Sequence, residues 1–273
     1  VLARAHQGLI WSRQRQLNQL RNALREFYPS SLEAFGADLA SVDALTVLAL
    51  APTPAEGRSL STPRIAAALK RGGRRRGITE RAEEITRALR APQLEAPELL
   101  SRAYGDVVAC TVRIVAEMTT QIEKLARDLE ASFEGHPDAE ILHSLPGLGV
   151  VLGARVLAEF GDDPDRYADP KARKNYAGTS PITKASGRSR VVLARFARNR
   201  RLADALEMWA FCSLTLSPGA RRYYDAHRAK GHTHRRALRS LANRWVGIVH
   251  GCLRHRECYS EDLAWPTTGA AAG

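Results

Sequence analysis

Apolar residues recur every three or four positions along most of the chain, which is the spacing of amphipathic helices. Between Leu9 and Tyr28 they fall on one face while the arginines fall mostly on the others, which predicts a helix with a basic side. Pro29 ends this pattern, and shorter helical segments follow as far as Lys70. Residues 1–50 contain no alternating strand pattern. The sequence therefore predicts an all-α chain.

A second, longer helix is predicted from Glu98 to Ser132, which would span about 50 Å. Its partner is left open by the sequence. A dimerising coiled-coil arm and an intramolecular hairpin with the first helix both fit a few heptads of apolar residues. The apolar positions of this pattern are Val107, Cys110, Ile114, Met118, Ile122, Leu125 and Leu129.

Gly135-His136-Pro137 interrupts the helical pattern and predicts a domain boundary. Residues 1–135 are then a helical, coiled-coil linker region. Residues 136–265 form a helical C-terminal domain, and residues 266–273 are predicted to be a disordered tail.

Charge narrows the class of partner. The 273 residues include 41 Lys and Arg against 29 Asp and Glu, a net charge of +12. The segments Lys171 to Arg201 and Arg228 to Arg256 contain no acidic residue. Such runs fold more easily when phosphates neutralise them, so nucleic acid is the expected partner. The alternative for each run alone is a solvated face with no ligand.

The four cysteines are not spaced as a zinc ribbon, no secretory signal is present, and no apolar stretch approaches the roughly 20 residues of a membrane span. We therefore expect reduced thiols, no metal site in this chain, and a soluble protein of the bacterial cytoplasm, associated with the nucleoid.

The segment from Ile141 to Leu157 is typical of a helix-hairpin-helix, with a tight Pro-Gly-x-Gly turn between two helices. Gly147 and Gly149 would let the turn approach a phosphate closely, and the opening amides of the second helix could bind the anion. Small residues such as Gly153 would let the two helices pack. The alternative is a plain helical turn.

Within the first basic run, Ser186 is followed by Gly187 and flanked by arginines. A serine hydroxyl in this setting could attack a phosphodiester held by guanidinium groups. The alternative is an ordinary polar turn.

Several of these segments occur in a familiar order. They are Leu145 to Gly149, Ala154 to Gly161, Tyr176 to Pro181, Ser186-Gly187, Asn199 to Leu202, Tyr223-Tyr224 and Leu238 to Leu253. Residues 136–262 resemble the C-terminal domain of the insertion-sequence 110/116/902 transposase family, and the preceding residues resemble its coiled-coil linker.

The resemblance implies a bridge-RNA-guided enzyme that cuts and rejoins DNA through a covalent phosphoserine. Ser186 aligns with the family's serine, with Ser180 and Ser189 as the alternatives. It also implies a guide RNA and a homo-oligomer, dimer or tetramer, formed through the coiled coil. Charge and proximity add the expected nucleic-acid contacts, which besides Gly147 and Gly149 are Lys184, Arg188, Arg190, Arg200 and Arg201.

Two departures limit what carries over. The family's RNase H-type domain, whose four acidic residues would hold Mg²⁺, is expected to precede this sequence, so this chain alone should bind no cofactor and be inactive. The family's Lys-Arg-Gly-Asn run is here Phe196 to Asn199, without the glycine. The alternatives to an enzyme are a non-catalytic DNA- or RNA-binding remnant and a coiled-coil scaffold.

Overall fold

The computed structural model describes residues 1–163 and 165–266, so the predicted tail lies, except for Pro266, outside the described residues. The fold is mainly helical, which confirms the predicted class. The helices are α1 (Leu2–Phe27), α2 (Pro29–Phe35), α3 (Val42–Leu50), α4 (Pro54–Ser59), α5 (Thr62–Arg71), α6 (Ile78–Leu89), α7 (Glu98–Glu134), α8 (Ala139–Ser144), α9 (Val150–Phe160), α10 (Pro170–Ala177), α11 (Arg200–Ser213), α12 (Pro218–Ala229), α13 (His234–His255) and α14 (Glu261–Ala264), and the strands are β1 (Ile182–Ser186) and β2 (Ser189–Leu193).

The two strands form an antiparallel hairpin where the sequence suggested a loop. Residues 182–193 are thus the exception to the all-α prediction within the described residues. The turn between the strands needs only two residues, which is the shortest common connection of a hairpin.

One compact unit consists of Gly8–Lys124. In it α1 and α7 run antiparallel: Arg13 Nη1 donates to Thr119 Oγ1 at 3.1 Å, and the rings of Phe27 and Tyr104 stack at 5.0 Å. The intramolecular hairpin, one of the two alternatives for the long helix, is therefore present in this unit. The short helices α2 to α6 complete its apolar core.

The second unit consists of Val1–Gln7 and the chain from Leu125 onward. Its core is centred on α11 and α13, where the rings of Trp209 and Trp245 stack at 5.1 Å and neither side chain is exposed. The indole N–H of Trp245 donates to Ser213 Oγ at 2.8 Å. The predicted domain limits at 135 and 265 stay predictions, and the structure adds that α7 passes from one unit to the other.

Candidate nucleic-acid interface around the serine hairpin

Ser186 lies at the tip of the hairpin, where it pairs with Ser189 across the turn formed by Gly187 and Arg188. Gly187 has a φ of +54°, as the first central residue of such a turn requires. A Cβ atom there would meet nothing within 4 Å, so the glycine serves the turn rather than a close contact. Ser180, one of the alternative serines, precedes β1 and is half-buried.

The strand register decides which predicted contacts share a face with Ser186. Side chains alternate along a strand, and directly paired residues point to the same side. Lys184, Ser186 and Ser189 therefore lie on one face. Arg190, which pairs with Ala185, lies on the other. The structure brings together only part of the predicted set.

The hairpin is exposed on both faces. Every residue from Thr183 to Leu193 is exposed, including Val191, Val192 and Leu193 at 47%, 57% and 41%. Two strands alone are marginally stable in water, and clustered exposed apolar residues mark interaction surfaces. The hairpin thus presents a serine, cations and apolar side chains together to a ligand or partner.

The base of the hairpin is anchored at the end of α10. Gly178 ends this helix with a φ of +70°, and a Cβ atom there would come 2.3 Å from Cβ of Arg198. Arg198 therefore packs directly over Gly178 and links the two ends of the hairpin segment. Thr179 Oγ1 donates to Asn243 Oδ1 of α13 at 3.1 Å, which attaches the segment to the core.

A buried carboxylate fixes the other end of the segment. Glu159 is 4% exposed and accepts from Asn199 Nδ2 at 2.5 Å and from Arg4 Nε at 3.0 Å. The Asn199 Oδ1 atom accepts from the backbone N–H groups of Arg201 and Leu202 and so caps α11. Sequence reasoning did not single out Glu159, although a lone acid in the apolar stretch that forms α9 was a signal.

Arg200 and Arg201 are the first two residues of α11, and both are exposed. The partial positive charge of a helix N-terminus adds to theirs, which makes this end attractive to an anion. The geometry agrees with their predicted phosphate contacts without testing them.

The Pro-Gly-x-Gly turn connects α8 to α9, but its two glycines differ. Gly147 has a φ of +79°, and a Cβ atom there would lie 2.6 Å from the backbone nitrogen of Ser213, so this glycine packs against α11. Gly149 has nothing within 4 Å of its Cβ position and is exposed. The helix-hairpin-helix and its phosphate contact stay predictions, with Gly149 better placed for them.

Gly153 was expected to permit close packing between the two helices of this motif. Its nearest neighbour is instead Phe133 of α7, whose Cζ atom would lie 2.9 Å from a Cβ atom at position 153. Gly153 thus makes room for the end of α7, and its role in packing α8 on α9 stays a prediction.

The second basic run, from Arg228 to Arg256, contains the whole of α13, and most apolar residues of this helix are buried as the helical spacing predicts. Several arginines of the run have partners within the protein. Arg244 donates to the Ala264 carbonyl at 2.7 Å, Arg254 pairs with Asp165, and Arg256 pairs with Asp138. This run is therefore less available to a polyanion than its composition suggested.

Within residues 1–163 and 165–266, no group of three or more His, Cys, Asp or Glu side chains could hold a metal ion. In the same part of the chain, no helix is both long and apolar enough to cross a membrane.

Known proteins resemble the chain in sequence. Residues 139–225 match the model of the family described as "Transposase IS116/IS110/IS902 family". The mini-circle putative transposase for IS117 of Streptomyces coelicolor is 44% identical over 279 residues, covering 100% of this chain and 67% of the relative. The chain belongs to the IS116/IS110/IS902 transposase family. This confirms the resemblance noted from the sequence motifs.

Two further relatives of the family also extend beyond the aligned region. An uncharacterized 42 kDa protein of insertion element IS900 from Mycobacterium paratuberculosis is 33% identical, covering 84% of this chain and 56% of the relative. An uncharacterized 43.6 kDa protein of insertion element IS110 from Streptomyces coelicolor is 30% identical, covering 96% of this chain and 64% of the relative. The chain thus spans between about half and two thirds of the length of these relatives.

Proposed function

We propose that this chain is the serine-bearing part of an insertion-sequence transposase and that Ser186 is its nucleophile. The observation that carries the proposal is the position of Ser186, exposed at the hairpin tip, with Lys184 on the same face and Arg188 in the turn. Cations beside a hydroxyl can hold a phosphodiester and stabilise the charge that develops during phosphoryl transfer.

In the proposed step, the Ser186 hydroxyl loses its proton and its Oγ atom attacks the phosphorus of a DNA phosphodiester. The bond from phosphorus to the leaving sugar oxygen breaks, and that oxygen takes up a proton. Rejoining reverses the sequence, since a sugar hydroxyl attacks the phosphoserine and releases Oγ. The number of phosphoester bonds is conserved, so no external energy source is needed.

The family resemblance includes Mg²⁺, which would polarise the phosphate. The described residues do not fit such an ion, because they contain no suitable cluster of His, Cys, Asp or Glu. We propose that Mg²⁺ is held by residues outside this part of the protein. Alone, the chain should then bind DNA without cutting it.

We also propose that the chain binds DNA together with a guide RNA and associates with the nucleoid. The support is the acid-free run, whose Arg188, Arg190, Arg200 and Arg201 are all exposed. If these residues contact phosphates, raising the salt concentration from 50 to 200 mM should weaken binding by orders of magnitude, as it does in other protein–DNA complexes. A weak salt dependence would favour the coiled-coil scaffold.

Self-association is the remaining part of the proposal, as a homo-oligomer formed through α7. Within the unit Gly8–Lys124, one face of α7 packs on α1 while Leu100, Val107 and Ile114 stay 47%, 53% and 40% exposed. These residues recur every seven positions, which is the spacing of a coiled-coil seam. A second copy of α7 is the partner whose chemistry matches this stripe.

The nucleophile can be tested in a chimera in which the IS117 relative supplies the third of its length that the alignment does not cover. The measurement is the covalent protein–DNA adduct retained on a denaturing gel. Ser186→Ala should abolish the adduct, while the matched variants Ser189→Ala and Ser180→Ala should retain it. An adduct that survives Ser186→Ala would overturn the assignment.

A non-catalytic binding module is the second candidate, and the lack of a metal-binding cluster in the described residues favours it. It predicts that the unaltered chimera binds DNA and forms no adduct, while the IS117 protein forms one under the same conditions.

A further inference from the structure

A cleft separate from the serine hairpin lies beside α10 and α13 and has a volume of about 450 Å³. The cleft is lined by Arg173 of α10 and by His250 and Arg254 of α13. Arg256, which directly follows α13, also lines it. All of these residues belong to the same compact unit. The cleft is large enough for a phosphate group and part of the molecule that carries it.

The Arg173 side chain is buried beside this cleft and forms no ion pair with any of the described residues. The residue is 4% exposed, and its guanidinium carbon lies 5.1 Å and 4.7 Å from the ring centres of Phe160 and Tyr167. Its Nε and Nη1 atoms are buried and have no hydrogen-bond partner among the residues that the structure describes. The same holds for Nδ1 of His250, a residue 8% exposed.

Three aspartates also line the cleft, and each makes a contact of its own. Asp138 forms an ion pair with Arg256, and Asp162 lies 4.0 Å from Nε2 of His136. Asp163 Oδ1 accepts the backbone N–H of Asp165 at 2.9 Å. No ion pair to Arg173 is present among residues 1–163 and 165–266, and Asp138 acts on its charge only from beyond ion-pair distance.

A buried charge without a partner is strongly unfavourable, and buried N–H groups without acceptors add to the cost. An anion with several acceptor oxygens would relieve both. Phosphate has this chemistry, and arginine is the side chain that most often recognises it.

We propose that this cleft is a phosphate-binding site in which Arg173 and His250 are the donors and the bound group is a backbone phosphate of a nucleic acid. Phosphate binding itself does not depend on the chemistry of Ser186. The nucleic-acid source rests on the proposed function. Arg173 lies on α10, directly before the hairpin segment. A nucleic-acid strand bound in the cleft would therefore lie close in the chain to the hairpin that carries Ser186.

The test uses the 273-residue chain, inorganic phosphate and isothermal titration calorimetry at constant ionic strength and pH 7.5. The wild type should bind one phosphate per chain. Arg173→Met should weaken binding at least about ten-fold, as loss of a charged donor does. Arg222→Ala removes an exposed arginine that does not line the cleft and should change nothing. Equal affinity of wild type and Arg173→Met would overturn the proposal.

Removing the Arg173 charge should not unfold the protein. In a chloride buffer without phosphate, the melting temperature of Arg173→Met is expected to equal or exceed that of the wild type. Replacing a buried charge by an apolar side chain of similar volume is often neutral or stabilising. If that variant fails to fold, His250→Gln provides the second test. It should weaken phosphate binding roughly five-fold through the loss of one donor, and unchanged affinity would contradict the proposed site.

The source of the phosphate is tested by competition. A ten-nucleotide single-stranded DNA should displace inorganic phosphate from the wild type, and Arg173→Met should bind this DNA more weakly than Arg222→Ala does. If phosphate binds through Arg173 but DNA does not displace it, the nucleic-acid assignment is wrong and the cleft takes a small phosphate compound. Ser186→Ala should bind phosphate like the wild type. The two proposals, Ser186 as nucleophile and the cleft as phosphate site, can therefore fail independently of each other.

Discussion

The side-chain amide of Asn199 links a buried carboxylate to the start of a helix. Its Nδ2 donates to Glu159 Oε2 at 2.5 Å, while its Oδ1 accepts from the N–H groups of Arg201 and Leu202 at 3.0 and 3.1 Å. Both ends of the amide are thus used. The chain that leads from β2 to α11 is therefore attached to the core at Asn199, directly before Arg200.

The dual contact predicts an unusual order of stabilities at position 199. Ser, Asp and Asn are comparable N-caps in general. Here Asp would set a second carboxylate against Glu159, so Asn199→Asp should be less stable than Asn199→Ser. Asn199→Ala should lose about 1 kcal/mol as the cap is removed. Urea denaturation at pH 7 measures the free energy of unfolding of each variant. Equal stability of the Asp and Ser variants would show that a carboxylate at position 199 is not repelled by Glu159.

The partners of Glu159 could not be predicted from the sequence, because they are 155 and 40 positions away along the chain. Helix α13 was predictable because its apolar residues repeat at helical spacing, and most of them are buried. The hairpin was missed since its strands are almost wholly exposed and no buried face imposes an alternating pattern. The available signal was two five-residue runs separated by two residues, with Gly187 first.

The two glycines of the Pro-Gly-x-Gly turn should respond differently to alanine. Gly147→Ala should destabilise the protein by more than the roughly 1–3 kcal/mol of backbone strain, because its new methyl group would also meet the backbone of α11 at 2.6 Å. Gly149→Ala has open space and a negative φ of −62°, so its stability should change by less than about 1 kcal/mol.

Gly149→Ala therefore serves as a test of the turn as a DNA contact. If the backbone here approaches a phosphate closely, the methyl group should lower the affinity for duplex DNA while thermal denaturation stays unchanged. Undiminished affinity in a filter-binding titration would leave the segment a plain helical turn.

The two faces of the hairpin predict unequal roles for two cations. Lys184 shares the face of Ser186 and Arg190 does not. In the active chimera, Lys184→Ala should slow adduct formation about ten-fold, the effect of losing one charge-assisted contact. Arg190→Ala should slow it less, although both variants lose one positive charge. Equal rates would mean that the hairpin changes its register or twists when DNA binds.

The stability of the protein should fall as the solution is acidified. Burial and, to a lesser degree, nearby arginines lower the pKa values of His6 and His250. Below about pH 6.5 the unfolded chain therefore binds more protons than the folded one, and the free energy of unfolding decreases. His250→Gln should reduce this loss between pH 7.5 and 5.5, as followed by urea denaturation. An identical pH slope in His250→Gln would contradict the assignment.

The exposed stripe on α7 predicts the oligomeric state. A charge at its centre would have to be buried or repelled in a seam between two copies, so Val107→Glu should convert an oligomer to a monomer in light scattering coupled to gel filtration. The same substitution should leave the melting temperature of the monomer nearly unchanged, because Val107 is 53% exposed within its own unit. Asp106→Asn changes a charge at a neighbouring exposed position of α7 and should keep the oligomer. A Val107→Glu protein that elutes with the mass of the wild type would exclude this stripe as the interface.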